Sequence, residues 1–108
     1  MVTLSEQEFR LKSDEALEDA RRSLMALADE EDFEIDLQNG VLNLTFEAPR
    51  GSRFVVSPNA PMRQIWVAAM AKGYRLSWAP ELGAFALNGE LLPQLLRRLV
   101  QTLLDGSG

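Results

Sequence analysis

The sequence predicts an α+β fold, in which one antiparallel sheet of about six strands is covered on one face by an N-terminal and a C-terminal helix, as a two-layer α/β sandwich. Three observations support this fold class. Apolar residues recur at three- and four-residue steps near both ends of the chain, the apolar period changes to two between them, and turn-forming residues separate the alternating segments. The length of 108 residues fits one domain over residues 1–108, with a flexible tail expected at 105–108.

The first predicted helix covers residues 5–28. Ser5 followed three residues later by Glu8 is a capping-box signature for a helix start. The residues expected on its buried stripe are Phe9, Ser13, Ala16, Leu17, Ala20, Leu24 and Leu27. The solvent-directed face is mostly acidic and carries Asp14, Glu15, Glu18, Arg22, Met25 and Asp29. Residues 29–32 are interpreted as an acidic connector after the helix.

Alternation of apolar and polar residues predicts strands at residues 34–38, 41–46, 53–57, 64–69, 74–78 and 84–87. Asn39-Gly40 is a strong signal for a two-residue hairpin turn between the first two strands. Another turn is expected at residues 48–52, and Gly73 is expected to form the turn before the fifth strand. Pro58 and Pro61 are expected to keep the stretch after the third strand out of central sheet pairing.

The last predicted helix covers residues 91–104, and Pro93 falls in its first turn, where a missing N–H costs little. Its apolar stripe consists of Leu92, Leu95, Leu96, Leu99, Val100 and Leu103. Because both helices need the apolar face of the sheet, the other face must meet solvent. That open face is expected to carry Asn43, Thr45, Gln64, Trp66 and Arg75.

The net charge of −5 is unevenly distributed along the chain. Residues 1–48 contain 13 acidic and 4 basic residues, whereas residues 49–108 contain 3 acidic and 7 basic residues. An acidic balance argues against a nucleic-acid partner, because affinity for phosphates comes from Lys and Arg side chains. Cations or basic protein surfaces are the partners that this charge favours.

Cysteine and histidine are both absent from the sequence. That excludes disulfides, thiolate metal sites, cysteine nucleophiles and the usual general base near neutral pH, so any metal site must use oxygen ligands. We therefore expect a regulator or binding protein rather than an enzyme. No apolar run approaches the roughly 18 residues of a membrane span, and the polar, acidic residues 1–7 are unlike a signal or transit sequence. A soluble protein without a membrane partner is expected.

Trp66 is the strongest candidate for a binding residue. Ile65 and Val67 occupy the inward side of the same predicted strand, so alternation directs Trp66 to the open face. An exposed tryptophan beside the amide of Gln64 fits an interface anchor. Trp78, in contrast, is expected to lie in the core.

The acidic residues of the first helix and the first strand are candidate metal ligands, because carboxylate oxygens suit hard cations such as Fe²⁺, Fe³⁺, Mn²⁺ and Ca²⁺. On an exposed face they would form shallow, exchangeable sites with weak and poorly selective binding. Two alternatives stay open. The acids can form a solvated face in which Glu18 pairs with Arg22 at i,i+4, or they can dock a basic partner surface without any metal.

Three features resemble the frataxin family, in particular its bacterial, CyaY-type branch. They are the order of elements, the hairpin start at residues 39–42 (Asn-Gly-Val-Leu) and the segment at residues 61–68 (Pro-x-x-Gln-Ile-Trp-Val-Ala). The resemblance covers nearly the whole chain, from about Phe9 through the strand near Gly73 to the C-terminal leucine-rich helix.

The resemblance implies a small iron-binding protein that docks on the complex of cysteine desulfurase and iron–sulfur scaffold protein and modulates cluster assembly, as an iron donor or an iron sensor. Its cofactor would be iron, Fe²⁺ or Fe³⁺, held weakly at the surface. By position, the metal-binding acidic ridge maps onto Asp14, Glu15, Glu18, Asp19, Asp29, Glu30, Glu31, Asp32, Glu34 and Asp36. The partner-binding surface maps onto Asn59, Gln64, Trp66 and Arg75.

The sequence departs from the family pattern at two places. Arg21, Arg22, Met25 and Ala26 interrupt the acidic ridge, and Ser57 replaces an asparagine that relatives often use on the partner surface. The resemblance also implies a monomer, with iron-dependent oligomers left open as an alternative, in the bacterial cytoplasm or, for a trimmed organellar form, in the mitochondrial matrix. Ferroxidase activity, ascribed to some relatives, has no support in the sequence beyond the resemblance.

Two other functions remain as alternatives. One is a small acidic protein of the secretion-chaperone type, also an α/β sandwich, which would hold an unfolded client. The other is a simple iron-storage protein. Neither alternative explains the segment at residues 61–68, whereas the resemblance to frataxins does.

Overall fold

A computed structural model describes residues 4–47 and 52–106 and places two helices on one face of a seven-stranded antiparallel sheet. The strands follow their chain order across the sheet, from β1 to β7. The elements are α1 (Glu6–Glu31), β1 (Phe33–Gln38), β2 (Val41–Phe46), β3 (Arg53–Asn59), β4 (Gln64–Ala69), β5 (Lys72–Ala79), β6 (Ala84–Leu87), β7 (Glu90–Leu91) and α2 (Leu92–Gly106). The predicted fold class is confirmed, but the sheet has seven strands rather than about six.

Helix α1 begins as the sequence predicts. The Ser5 hydroxyl accepts a hydrogen bond from the Glu8 N–H at 3.1 Å, and the Glu8 carboxylate accepts one from the Ser5 N–H at 2.9 Å, which completes the capping box. The end of the helix differs from the prediction. Residues 29–31 continue the helix instead of forming a connector, and Asp32 ends it in the left-handed conformation, with φ of 61° and its N–H bonded to the Ala28 carbonyl.

Three of the hairpins use two-residue turns in which both residues have positive φ, the geometry that matches the twist of paired strands. Asn39-Gly40 forms the β1–β2 turn, as predicted. Asn88-Gly89 forms the same turn between β6 and β7, and this hairpin adds the strand that the sequence prediction omitted. The turn predicted at residues 48–52 lies, apart from Ser52, outside the described residues; Ser52 accepts a hydrogen bond from the Phe46 N–H.

The prediction that Gly73 forms the turn before β5 is wrong. The prediction for the two prolines is wrong for Pro58 and holds for Pro61, which lies in the turn between β3 and β4. The turn before β5 is formed by Met70 and Ala71, with φ of 51° and 63°, while Gly73 lies within the strand opposite Ala68. Pro58 is part of β3 and pairs with Ile65 of β4. The pairing of β3 with β2 ends at Val56. Pro58 therefore has no partner on β2, and its missing N–H interrupts no hydrogen bond to that strand.

Both helices cover the same face of the sheet. The apolar stripe of α2 is buried as predicted, and so is that of α1, with Ala16 only half-buried. Helix α2 continues to Gly106, two residues into the tail that the sequence predicted. Neither helix in the described part of the chain is sufficiently long and apolar to traverse a bilayer. The arrangement leaves the second face of the sheet uncovered by any helix.

Replacing Ala71 with glycine is expected to stabilise the fold. Left-handed backbone costs an L-residue with a Cβ roughly 1 kcal/mol, whereas glycine adopts it freely. Part of this gain is offset because glycine makes the unfolded chain more flexible, so we expect about 0.5 kcal/mol, measured as a higher midpoint of urea unfolding. Gly40→Ala is the matched control, since Gly40 has φ of 74° in the corresponding turn, and it should lower the midpoint. A lower midpoint for Ala71→Gly would contradict this account.

Candidate functional site

Trp66 lies on the open face of the sheet, in the middle of a three-strand row. It pairs with Ser57 of β3 on one side and with Arg75 of β5 on the other. Its neighbours along β4, Ile65 and Val67, are buried under the helices, as strand alternation requires. The sequence prediction for the direction of this side chain is therefore confirmed, and the indole ring is half-buried on the sheet surface.

Neighbouring side chains hold the Trp66 ring in one orientation. The indole Nε1–H donates to the Gln64 carbonyl oxygen at 2.9 Å, and the Gln64 amide in turn donates to the Ser77 hydroxyl at 3.2 Å. The Arg75 guanidinium carbon lies 5.0 Å from the centre of the Trp66 ring, within the range of a cation–π interaction. An aromatic ring fixed before binding loses little conformational entropy on association, which suits an interface anchor.

A shallow depression of about 210 Å³ adjoins this ring. Its lining consists of Val55, Ser57, Trp66, Val67, Ala68, Gly73, Tyr74 and Arg75. The methyl group of Ala68 and the absence of a side chain at Gly73 leave the surface lower beside the larger indole. The surface therefore presents the indole of Trp66 next to the accessible guanidinium of Arg75. Aromatic residues and arginine are both enriched at protein interfaces.

The structure brings all four predicted partner-binding residues together on the open face of the sheet. Trp66 contacts both Gln64 and Arg75 as described, and Gln64 pairs across β3 and β4 with Asn59. The Asn59 side-chain carbonyl accepts a hydrogen bond from the Met62 N–H at 2.9 Å and so caps the β3–β4 turn. Ser77 was absent from the sequence prediction, because its contact with Gln64 depends on the register in which β4 pairs with β5.

The acidic ridge consists of three separate parts in the structure. The first is the run at residues 14–19 on the exposed side of α1, and it is largely neutralised by basic neighbours. Glu18 pairs with Arg21 and, as predicted, with Arg22 at 3.4 Å, while Asp19 pairs with Arg22 at 3.3 Å. The hydrogen bond from Arg21 holds the pKa of the Glu18 carboxyl below its usual value. This run therefore presents less free negative charge than its sequence suggests.

The second part of the ridge lies at the carboxyl end of α1. Asp29, Glu30 and Glu31 occupy the last turn of the helix, which contains no basic residue, and Asp32 caps it. Carboxylates at this end face the negative pole of the helix dipole, so each is unfavourable for the stability of the helix. In the described chain none of these four residues forms an ion pair.

The third part consists of Glu34 and Asp36 on β1, which are exposed on the open face of the sheet. They pair with Thr45 and Asn43 of β2, and Asn43 in turn pairs with Val55 of β3. These two acids consequently share a sheet face with Trp66, while the run at residues 14–19 lies on the helix layer. Within residues 4–47 and 52–106, no three carboxylates converge in a geometry that could hold a metal ion.

Comparison with known proteins gives one consistent result. The family model described as "Frataxin-like domain" matches residues 2–106. The chain is 30% identical over 101 residues to the "Iron-sulfur cluster assembly protein CyaY" of Pseudomonas entomophila, which covers 92% of this chain and 88% of the relative. It is 40% identical over 76 residues to the protein of the same name from Cupriavidus metallidurans, covering 68% of this chain and 67% of the relative.

Solved structures support the fold. Yeast frataxin superimposes with a TM-score of 0.69 at 24% sequence identity, covering 98% of this chain and 88% of that chain. Frataxin from Psychromonas ingrahamii gives a TM-score of 0.64 at 16% identity, covering 90% of this chain and 89% of that chain. At these identities the likeness extends to the arrangement of helices and strands.

Removing a charge at the carboxyl end of α1 is expected to stabilise the protein. Glu30→Gln removes an unfavourable interaction with the helix dipole and should raise stability by about 0.3–1 kcal/mol, seen as a higher midpoint of thermal unfolding at low ionic strength. Glu6→Gln is the matched control at the other end of the helix. It removes a favourable dipole interaction and the 2.8 Å ion pair with Arg10, so it should lower the midpoint. Shifts of the same sign in both variants would contradict the dipole argument.

Proposed function

The chain belongs to the frataxin-like family, and from this membership we propose that it acts in iron–sulfur cluster assembly, where it docks on the complex of cysteine desulfurase and scaffold protein. In this role it modulates an enzyme complex and is not itself the catalyst. The observation that carries the docking proposal is Trp66, an aromatic ring fixed on an uncovered sheet face by Gln64 and Arg75. The names of the bacterial relatives support the pathway.

Trp66 can make the largest single contribution to such a contact. Large aromatic residues at the centre of an interface commonly dominate affinity, because they bury a wide apolar surface and lose few rotatable bonds. The depression at Ala68 and Gly73 leaves room for a partner side chain to pack against the edge of the indole. Arg75 makes no ion pair in the described part of the chain, so its guanidinium is free to bind a carboxylate or a carbonyl of the partner.

Glu34 and Asp36 can guide the same encounter. They lie on the sheet face of Trp66, three strands away at β1, and therefore face any partner that covers this side of the molecule. Exposed charges contribute mainly to the rate and orientation of association. A partner with a basic patch opposite β1 and an apolar patch opposite β4 would match both features.

Iron binding is the second component of the proposal. The acids from residue 29 to residue 36 remain without ion pairs among the described residues, in contrast to Glu18 and Asp19. Their oxygens are suitable ligands for Fe²⁺, but they are exposed and do not converge on one point. We therefore propose weak, exchangeable iron at these residues, held as cargo or as a signal for the assembly complex. Docking requires no metal.

A monomer in the bacterial cytoplasm is the setting that fits this proposal, because the named relatives are bacterial proteins of cluster assembly. The secretion-chaperone alternative receives no support from the family match, which covers residues 2–106. Simple iron storage would leave the fixed Trp66 ring without a role. Docking on an assembly complex uses both the open sheet face and the acidic residues.

Truncation of the anchor tests the docking proposal. Trp66→Ala should weaken binding to the cognate desulfurase–scaffold complex by about 2 kcal/mol, or roughly thirtyfold in Kd, measured by biolayer interferometry. Combined Asp32→Asn, Glu34→Gln and Asp36→Asn substitutions should mainly slow association. Leu82→Ala is the control, since Leu82 is a 48% exposed apolar side chain in the β5–β6 turn, outside the Trp66 depression. Unchanged affinity in both the Trp66 and the acidic variants would refute the proposal.

An anaerobic Fe²⁺ titration followed by backbone NMR tests the iron component. Line broadening should be confined to residues 14–36 and be strongest from residue 29 to residue 36, where the carboxylates have no competing cations. The triple acidic variant should reduce the broadening around residues 32–36, whereas Glu47→Gln, which removes an exposed carboxyl elsewhere, should preserve it. Broadening distributed evenly over the chain would exclude the ridge as the iron site.

A further inference from the structure

A second concave surface lies in the helix layer, on the side of the sheet opposite Trp66. It is a groove of about 200 Å³ between α1, the β5–β6 hairpin and the start of α2. Half-buried apolar side chains line much of it: Ala16, Trp78, Ala84, Leu91 and Pro93. Three charged side chains of α1 stand at its rim: Lys12, Glu15 and Asp19. Cluster-assembly docking through Trp66 does not use this groove.

The chain places its own cation over the aromatic wall of the groove. The Lys12 ammonium lies 5.8 Å from the centre of the Trp78 ring and 3.8 Å from the Glu15 carboxylate. Both contacts are long, and 43% of the Lys12 side chain and 57% of the Glu15 side chain are exposed. A flexible lysine held by two weak contacts is easily displaced.

Two of the three charged side chains that line the groove are acidic, so Lys12 alone does not balance them. Glu15 and Asp19 are one helical turn apart on the same side of α1, whereas the neighbouring Glu18 is paired with Arg21 and Arg22. Asp19 has only an exposed contact of 3.3 Å with Arg22. An incoming cation would thus meet a carboxylate on α1 and an aromatic face on β5 at the same time.

We propose that this groove is a second docking site, which accepts an arginine side chain of a partner polypeptide together with an adjacent apolar side chain. A guanidinium is better suited to it than an ammonium, because it is planar, stacks on an indole and binds a carboxylate through two parallel hydrogen bonds. The arginine displaces Lys12 from Trp78 and pairs with Glu15 or Asp19, while the apolar neighbour covers Ala84 and Leu91. Since the groove and Trp66 are on opposite faces of the sheet, both sites can be occupied together.

The tryptophan content of the chain provides a direct readout. Trp66 and Trp78 are the two tryptophans, so Trp66→Phe leaves Trp78 as the single indole fluorophore. The probe is N-acetyl-leucyl-arginine amide, and the matched control peptide carries citrulline, which has nearly the shape of arginine without its charge. The arginine peptide should change Trp78 emission saturably, and the citrulline peptide should bind at least twofold to fivefold more weakly.

Substitutions at the rim separate this site from general electrostatics. Lys12→Met removes the internal competitor and should tighten peptide binding about twofold to fivefold, whereas Glu15→Gln should weaken it by a similar factor. Lys72→Met removes the same charge at the far end of the sheet and should have less effect than Lys12→Met.

Several results would overturn the proposal: no saturable change in Trp78 emission, equal binding of the citrulline peptide, or equal effects of Lys12→Met and Lys72→Met. Emission changes that depend on the concentration of the protein itself would instead assign the groove to a second copy of the chain. They too would overturn it. Failure of the docking proposal for Trp66 would not affect this test, because the peptide titration uses the Trp66→Phe variant and reads only the emission of Trp78.

Discussion

The one-sided covering of the sheet determines the rest of the structure. Seven antiparallel strands present two faces, and the two helices of this chain pack on the same face. Every second residue of each strand is then committed to the core, and the residues between them are left on a surface that no helix covers. Trp66 lies on this open surface for that reason and not because its strand is at an edge, since β4 is the central strand of the sheet. An open face over a rigid central strand is a suitable platform for a binding residue.

The elements that local patterns specify were predictable from the sequence. The capping box at Ser5 and Glu8, the Asn39-Gly40 turn and both apolar helix stripes are confirmed, because each depends on residues close together in the chain. The seventh strand was missed although Asn88-Gly89 carries the same turn signal, since a two-residue strand is too short to show alternation. Met70-Ala71 could not be identified as a turn, because its residues have no preference for positive φ and the pairing of β4 with β5 imposes it.

The sequence was sufficient to predict on which face of the sheet Trp66 lies, but not which side chains contact it. Alternation within β4 is sufficient to expose Trp66, yet the bonds that fix the ring come from register: Gln64 meets Ser77, and Trp66 meets Arg75, only when β4 and β5 pair as they do. For the acidic ridge, proximity in the sequence was misleading. Its residues are near one another in sequence, but the end of α1 at Asp32 separates the helical acids from those of β1, and alternation places the latter on the other face. Sequence proximity overstated how far these carboxylates converge.

Acidic and basic side chains lie on different sides of the open face. Glu34 and Asp36 give the β1 side of this face a negative charge, whereas Arg53 and Arg75 give the β3–β5 side a positive one. A face with such a gradient orients an approaching partner before any contact forms, because opposite charges attract and like charges repel at distances of about a Debye length. In the docking proposed above, electrostatics would set the orientation and the rate of encounter, while the half-buried indole of Trp66 would set the lifetime of the complex. The same proposal gives a physical reason for the unpaired acids in the last turn of α1. They are unfavourable for the helix, and such a local conflict is typical of residues that serve binding rather than stability.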